Sequence, residues 1–327
     1  MRQGGARPSL WLTRSPAYPA AMHPVIALPA WLGPLDLPAG VEVIELPAHA
    51  DPAGWPDLAA VELLVIGFRD GDRVRAALPG MPRLRVIQTT SAGVDWLRGV
   101  VPDAITVCNA RGAFDDALAE WVVGVILAFG RGLLAARAAQ ARHEWVDMEL
   151  EELGGSTVVI LGQGSIGSAV AARLRPFGVE IVGVARTARE GVAGLGDLDG
   201  LLPRARTLVN MLPLTSETTG LLDARRLALL PDGALVVNGG RGRTIVTDAL
   251  LAETRSGRLS AALDVTDPEP LPPDHELWTL SNVLITPHVS GDSRGAFDRV
   301  RRIVEAQVRR FAAGEQLGNQ VPPYQLR

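Results

Sequence analysis

Apolar positions along this chain fall into short runs separated by polar stretches rich in glycine and proline. Runs at residues 23–28, 41–46, 61–66, 84–88 and 105–108 predict five strands. Several are almost continuously apolar, as strands of a parallel sheet buried on both faces are. A short helix is expected over 72–78, and 31–40 reads as a proline- and glycine-rich connection. The pattern breaks at Asn109-Ala110-Arg111-Gly112. From 115 to 139 the apolar positions Leu118, Trp121, Val122, Val125, Ile126 and Phe129 recur at helical spacing, which predicts one long helix leading into a second region. There, runs at 157–161, 179–184, 207–211, 234–237, 259–265 and 283–286 predict strands, interleaved with helices over 169–177, 224–229 and 248–256. A last helix is expected over 293–311, returning to the first region. Such alternation implies an α/β protein with doubly wound parallel sheets, whose functional groups gather at strand C-termini.

The turn after the run at 157–161 reads Gly162-Gln163-Gly164-Ser165-Ile166-Gly167 and leads into a helical pattern. Each glycine has its own reason. Gly162 permits the tight turn, Gly164 lets a pyrophosphate approach the backbone, and Gly167 lets the helix pack closely on the strand. The unpaired N–H groups of the helix start then face the phosphates. Placed between a strand and a helix, this spacing is a dinucleotide-binding fingerprint.

Length and charge narrow the picture. The chain has 327 residues, enough for about two domains. The formal net charge is -4 with no long basic run, which argues against a nucleic-acid partner. No apolar stretch reaches the roughly 18 residues of a membrane span. The single cysteine, Cys108, lies in an apolar run; it excludes an internal disulfide framework and fits a core position in a reducing, cytoplasmic setting. Residues 1–21 carry arginines and prolines around a very short apolar run. They read as a disordered extension rather than a signal, with Met22 a natural start.

Several pieces now stand in a recognisable order: Ser91-Ala92-Gly93-Val94-Asp95, the glycine turn, Leu212-Pro213-Leu214-Thr215, Asn238-Gly239-Gly240-Arg241-Gly242, Asp264-Val265 with Glu269-Pro270-Leu271-Pro272, and Thr286-Pro287-His288. In order and spacing, from about residue 61 to about residue 311, they resemble the NAD(P)-dependent D-2-hydroxyacid dehydrogenase family. The resemblance implies a Rossmann nucleotide-binding domain, residues 109–291, inserted in a smaller flavodoxin-like substrate (catalytic) domain, residues 22–108 and 292–327. It implies that His288 is the general acid and base, a task suited to imidazole, and that Glu269 is its partner, since a carboxylate favours the protonated ring. Arg241 would hold the substrate carboxylate with its planar fork and polarise the carbonyl. The loop with Ala92, Gly93 and Val94 would bind substrate through backbone N–H groups and the Val94 side chain. Asp264 would meet the nicotinamide carboxamide. Leu212, Pro213, Thr218 and Gly240 would border the cofactor, with Ser165 and Ile166 in its turn. No metal is implied. Two departures stand out: the connection at 31–40 is shorter and richer in proline than the family's usual first helix, and Thr266 stands where many members have an aromatic.

The far end of the fingerprint unit decides the cofactor. NAD enzymes carry an acid there for the ribose 2′-OH, and an arginine accommodates a 2′-phosphate. Here the strand ends in Ala185-Arg186-Thr187-Ala188-Arg189, with no acid at its end. Arg186, Thr187 and Arg189 therefore favour NADP(H), with NAD(H) possible; the competing reading has Arg186 stacking on adenine without discriminating. The expected activity is reversible hydride transfer between NADP(H) and a small 2-oxo or 2-hydroxy acid, by a glyoxylate/hydroxypyruvate-type 2-ketoacid reductase. A bulkier 2-oxo acid remains open. The alternative is a non-catalytic, dinucleotide-sensing protein of the corepressor type. A homodimer is expected by resemblance, without a membrane or nucleic-acid partner.

Overall fold

A computed structural model describes residues 23–47, 54–67 and 71–326; the extension expected over 1–21 and the start at Met22 lie outside the described residues. The chain divides into two compact units.

The first unit takes in the described residues up to Ser91, Trp96–Ala110, and those from Arg301 onward. Its sheet joins β1 (Val25–Pro29), β2 (Glu42–Leu46), β3 (Leu63–Ile66), β4 (Val86–Thr89) and β5 (Thr106–Cys108) in the order β2-β1-β3-β4-β5. All its pairings are parallel. The apolar runs are explained by burial on both faces: every residue of β1, β3 and β4 is buried. The edge strand β2 instead exposes Glu42 and Glu45, charges that discourage pairing with another chain. One helix, α1 (Gly71–Ala77), lies between β3 and β4 in sequence. The proline-rich connection forms only a single 3-10 turn, Ala30–Leu32, and side chains hold the rest of it. The Arg301 guanidinium donates to the carbonyls of Leu32 and Pro34, Arg309 pairs with Asp36, and the Asp36 N–H donates to Glu305 at 3.0 Å. Those three residues belong to the chain's last helix, whose Val304, Val308 and Phe311 are buried at helical spacing. Cys108 is wholly buried, and burial pushes its thiol up to about 12.

The second unit comprises Ala92–Asp95 and Arg111–Val300. Its strands are β6 (Thr157–Leu161), β7 (Glu180–Ala185), β8 (Val192–Gly194), β9 (Thr207–Asn210), β10 (Leu235–Asn238), β11 (Ser260–Leu263) and β12 (Val283–Ile285). They form one seven-stranded sheet in the order β12-β11-β10-β9-β6-β7-β8, again with every pairing parallel. The strand order reverses where β6 lies beside β9, and a ligand crevice opens at the C-terminal ends of strands at such a point. The helices are α2 (Asp115–Gly130), α3 (Leu133–Ala141), α4 (Ser165–Leu174), α5 (Leu198–Leu201), α6 (Ala224–Leu227) and α7 (Thr247–Arg255), with the start of α8 (Arg294–Ala312), which belongs to the first unit from Arg301 onward. Strand residues alternate between two cores. Val159, Leu161, Leu208, Val236 and Leu263 face one. Val158, Ile160, Val209, Val237 and Ala262 face the other, with Val122 and Ile126 of α2 and Val170 and Leu174 of α4. This period-two split between two covered faces is why the strands read as unbroken apolar runs.

Two expectations change. The single helix expected over 115–139 is two helices, α2 and α3, bent by 64°. Gly132 caps α3 in the left-handed region at φ +61, a conformation glycine adopts without the usual Cβ penalty. Helical periodicity carries on across the break because both helices keep an apolar face. The three-residue β8 and the single turn α5 were not anticipated, since neither is long enough to show a period. Among the described residues no single helix is long and apolar enough to cross a membrane.

Candidate functional site

The glycine turn separates into two kinds of glycine. Gly162 closes β6 at φ +97 and donates its N–H to the Val184 carbonyl at 2.8 Å; a Cβ there would lie 2.7 Å from the Met211 carbonyl oxygen. A Cβ on Gly167 would lie 2.0 Å from the Gly162 oxygen. Both are required by the chain's own packing. Gly164 is different: a Cβ there would meet nothing within 4 Å. Space within the chain does not by itself demand a glycine at this position. That suits a pyrophosphate lying on the backbone at the α4 N-terminus, where the first-turn N–H groups lack intrahelical acceptors. Ile166 is half-buried against the core of this unit, and the Ser165 hydroxyl donates to Asp115.

At the end of β7, Arg186, Thr187 and Arg189 are exposed. Arg186 binds Glu217 through both arms of its fork: Nε lies 2.9 Å from one carboxylate oxygen and Nη2 donates to the other at 2.9 Å. Arg189 donates to the Gln163 carbonyl at 2.8 Å, tying this strand end to the glycine turn.

The ends of β9 and β10 are locked by a buried amide network. Asn210 Nδ2 donates to Asn238 Oδ1 at 3.0 Å and to Thr244 Oγ1 at 2.6 Å. Asn210 Oδ1 accepts from the Leu212 N–H at 3.3 Å, and Asn238 Oδ1 from the Gly240 N–H at 3.1 Å. Asn238 Nδ2 and Thr244 Oγ1 both donate to the Arg241 carbonyl. The network thus fixes the backbone at Leu212, Gly240 and Arg241 together. Gly240 is needed because a Cβ would lie 2.8 Å from the Leu212 oxygen. Leu212 is buried and Pro213 exposed; the Thr218 hydroxyl is engaged inside its own loop, donating to the Pro213 carbonyl at 2.7 Å.

Arg241 is held on three sides. Its Nε donates to Asp95 Oδ1 at 2.8 Å and its Nη1 to the Gly240 carbonyl at 2.8 Å. Its Nη2 stands 1.5 Å from where a Gly93 Cβ would be. A side chain at position 93 would have to displace the guanidinium from this place. Ala92 and Gly93 are half-buried and Val94 is buried.

His288 lies three residues beyond β12 in the left-handed region, φ +57. Non-glycine residues adopt this conformation rarely, and surrounding structure must enforce it. Here Asp264 does so. Its backbone carbonyl accepts the His288 N–H at 2.8 Å. Its carboxylate, 2% exposed, accepts from the Thr286 hydroxyl, the Val289 N–H, and both the N–H and hydroxyl of Ser290. Burying a carboxylate costs several kcal/mol, whereas hydrogen bonds to a charged group contribute about 1.5–3 kcal/mol each. Four donors offset that cost, so Asp264 clamps the turn carrying the histidine. The ring is then oriented by Glu269, whose Oε1 lies 2.7 Å from His288 Nδ1. Both side chains are about a quarter exposed, at 27% and 24%. Nearby, burial holds the Asp292 carboxyl above the usual carboxylate range; His288 opposes that shift and Asp264 adds to it.

Asp95, Glu217, Asn210, Asn238 and Thr244 had no assigned role in the sequence. Asp95 ends the Ser91–Asp95 motif and the asparagines end strands, so their positions were marked. Their partners were not.

Residues 123–290 match the family model described as "D-isomer specific 2-hydroxyacid dehydrogenase, NAD binding domain". The chain is 34% identical over 287 residues to a glyoxylate reductase of Thermofilum pendens, covering 80% of this chain and 84% of that protein. It is 33% identical to a D-3-phosphoglycerate dehydrogenase of Methanocaldococcus jannaschii, covering 79% of this chain but 51% of that longer protein. Among solved structures, an NADPH-dependent glyoxylate/hydroxypyruvate reductase from Sinorhizobium meliloti, in complex with NADP and sulfate, superposes with a TM-score of 0.80 at 31% identity, over 93% of this chain and 100% of that one. A D-isomer specific 2-hydroxyacid dehydrogenase from Xanthobacter autotrophicus Py2, in complex with NADPH and MES, gives 0.80 at 29% identity, over 94% and 100%.

Proposed function

Because this chain belongs to the D-isomer specific 2-hydroxyacid dehydrogenase family, we propose that it is an NADPH-using reductase of small 2-oxo acids, of the glyoxylate/hydroxypyruvate type. The observation that carries this reading is the His288–Glu269 pair at 2.7 Å, in the same unit as the glycine turn and Arg241. The carboxylate engages Nδ1, and Nε2 is the nitrogen that exchanges a proton with substrate in this reading. A nicotinamide dinucleotide held at the glycine turn would supply or accept the hydride. Arg241 binds the substrate carboxylate and draws electron density from the adjacent carbonyl. His288 gives its proton to the carbonyl oxygen during reduction and takes one from the hydroxyl in the reverse direction, while Glu269 stabilises the imidazolium. Asp264 acts through the turn it clamps. The second unit is the dinucleotide-binding domain and the first the substrate domain.

Support for NADP(H) comes from Arg186 and Arg189 at the end of β7, and from solved relatives that hold NADP or NADPH. The relatives named above are enzymes, and the corepressor reading is not favoured. The test is oxidation of NADPH and NADH, followed by absorbance, with glyoxylate, hydroxypyruvate and phenylpyruvate. Turnover with a higher kcat/KM for NADPH is expected. A preference for NADH would overturn the cofactor assignment, and no turnover across the panel would overturn the activity.

The protein is also proposed to be a cytoplasmic homodimer. Its one cysteine is a buried thiol, in keeping with a reducing compartment. Between α3 and β6, Trp145 is 99% exposed, and Val146, Met148 and Leu150 are exposed with it. Apolar side chains grouped in this way mark an association surface. Sedimentation velocity is expected to show a dimer that Trp145→Ala weakens; a wild-type monomer would refute it.

A further inference from the structure

The sequence places no acid at the end of β7, yet the fold brings one there. Glu217, from the loop after β9, binds both arms of Arg186 at 2.9 Å. The loop that presents it is internally tied: Thr218 Oγ1 accepts from the Thr215 N–H at 2.8 Å, and Thr219 Oγ1 donates to the Thr215 carbonyl at 2.7 Å. A carboxylate on both arms of a guanidinium presents two oxygens in the fork geometry that a phosphate also uses. We propose that Glu217 is a cofactor-discriminating residue, an internal competitor that occupies the Arg186 fork in place of a ribose 2′-phosphate and so moderates the preference for NADP(H). This rests on the reading of Arg186 as the 2′-phosphate ligand.

The physical consequence is specific. A 2′-phosphate reaching Arg186 must displace a carboxylate and then lie close to its negative charge. A ribose 2′-OH meets neither cost. Removing the charge at 217 should therefore strengthen binding of ligands with a 2′-phosphate and leave those without it unchanged. Both side chains are about half exposed, at 59% and 49%. Solvent screening limits the effect to the range of surface ion pairs, about two- to fivefold in affinity. Exposure also makes the substitutions compatible with folding.

The experiment is a calorimetric cycle on the full chain: wild type, Glu217→Gln, Arg186→Leu and the double variant, each titrated with NADPH, NADH, 2′,5′-ADP and 5′-AMP. The two fragments isolate the adenosine end from the reacting end. Glu217→Gln is expected to lower the Kd of NADPH and 2′,5′-ADP about two- to fivefold, with NADH and 5′-AMP unchanged. The gain should vanish in the Arg186→Leu background. An unchanged or weaker NADPH affinity in Glu217→Gln, an equal gain for NADH, or a gain that survives loss of Arg186 would each overturn the role of Glu217. These outcomes compare variants, so they are separate from the parent reading: a wild type that binds NADH in preference to NADPH sinks the cofactor assignment, whatever Glu217 does.

Discussion

Replacing His288 with alanine is expected to lower kcat for 2-oxo acid reduction by about 10²–10⁴-fold, the range of a positioned general acid, while the Kd for NADPH stays within about twofold. The reason is positional. His288 stands on a strained turn whose backbone is set by Asp264, and its ring is set by Glu269. The hydrogen bonds described for the glycine turn, the Arg186 strand end and the amide network do not involve its side chain. Single-turnover kinetics and NADPH titration on the same preparation check both halves. Retained turnover would remove His288 as the acid, and a parallel loss of NADPH affinity would point to collapse of the turn. Glu269→Gln should fall between the wild type and His288→Ala, because it keeps a partner at Nδ1 but removes the charge that favours imidazolium.

Arg241→Met is expected to reduce kcat/KM for glyoxylate by about 10²–10⁴-fold, with little change in NADPH affinity. Charge-assisted hydrogen bonds contribute about 1.5–3 kcal/mol each, and losing a two-point hold at about 1.4 kcal/mol per tenfold gives that range. A second effect runs in the same direction. Asp95 is 26% exposed and paired to Arg241 Nε at 2.8 Å; without the guanidinium its carboxylate would repel an incoming acid. Adding Asp95→Asn to Arg241→Met should therefore recover part of the loss, while Asp95→Asn alone should cost activity by letting the guanidinium swing. Steady-state kinetics of the four proteins, treated as a double-mutant cycle, measure the coupling. Strict additivity would separate Asp95 from the role of Arg241.

Gly93 was anticipated as a small residue giving backbone N–H groups room to reach a carboxylate. Its nearest constraint is a guanidinium from 148 positions away in the chain, lying where a Cβ would stand. The resemblance has Asp264 meeting the nicotinamide carboxamide; within the chain its carboxylate accepts from Thr286, Val289 and Ser290, donors that also anchor the histidine turn. Arg186 was anticipated as a cation without a neighbouring acid, because the acid comes from a different loop. In each case the residue type was legible and its partner within the chain was not. The helix expected over 115–139 failed for a related reason: periodicity reports which side faces a core, and both α2 and α3 have such a side, whereas the bend depends on a left-handed glycine.

What the amino-acid order determined by itself was local. Continuous β-branched runs specify strands covered on both faces. The glycine spacing specifies a tight turn into a helix, and the run of motifs at strand ends specifies a D-2-hydroxyacid dehydrogenase. The strands and the turn follow from local factors, namely backbone dihedrals and side-chain period, and the family from the resemblance of the motifs. The tertiary structure decided which charges meet. Asp95 reaches Arg241, Glu217 reaches Arg186, and Glu269 reaches His288 across separations of 146, 31 and 19 residues. Electrostatic and hydrogen-bond partners are chosen by distance through space, and that distance exists only once the chain has folded.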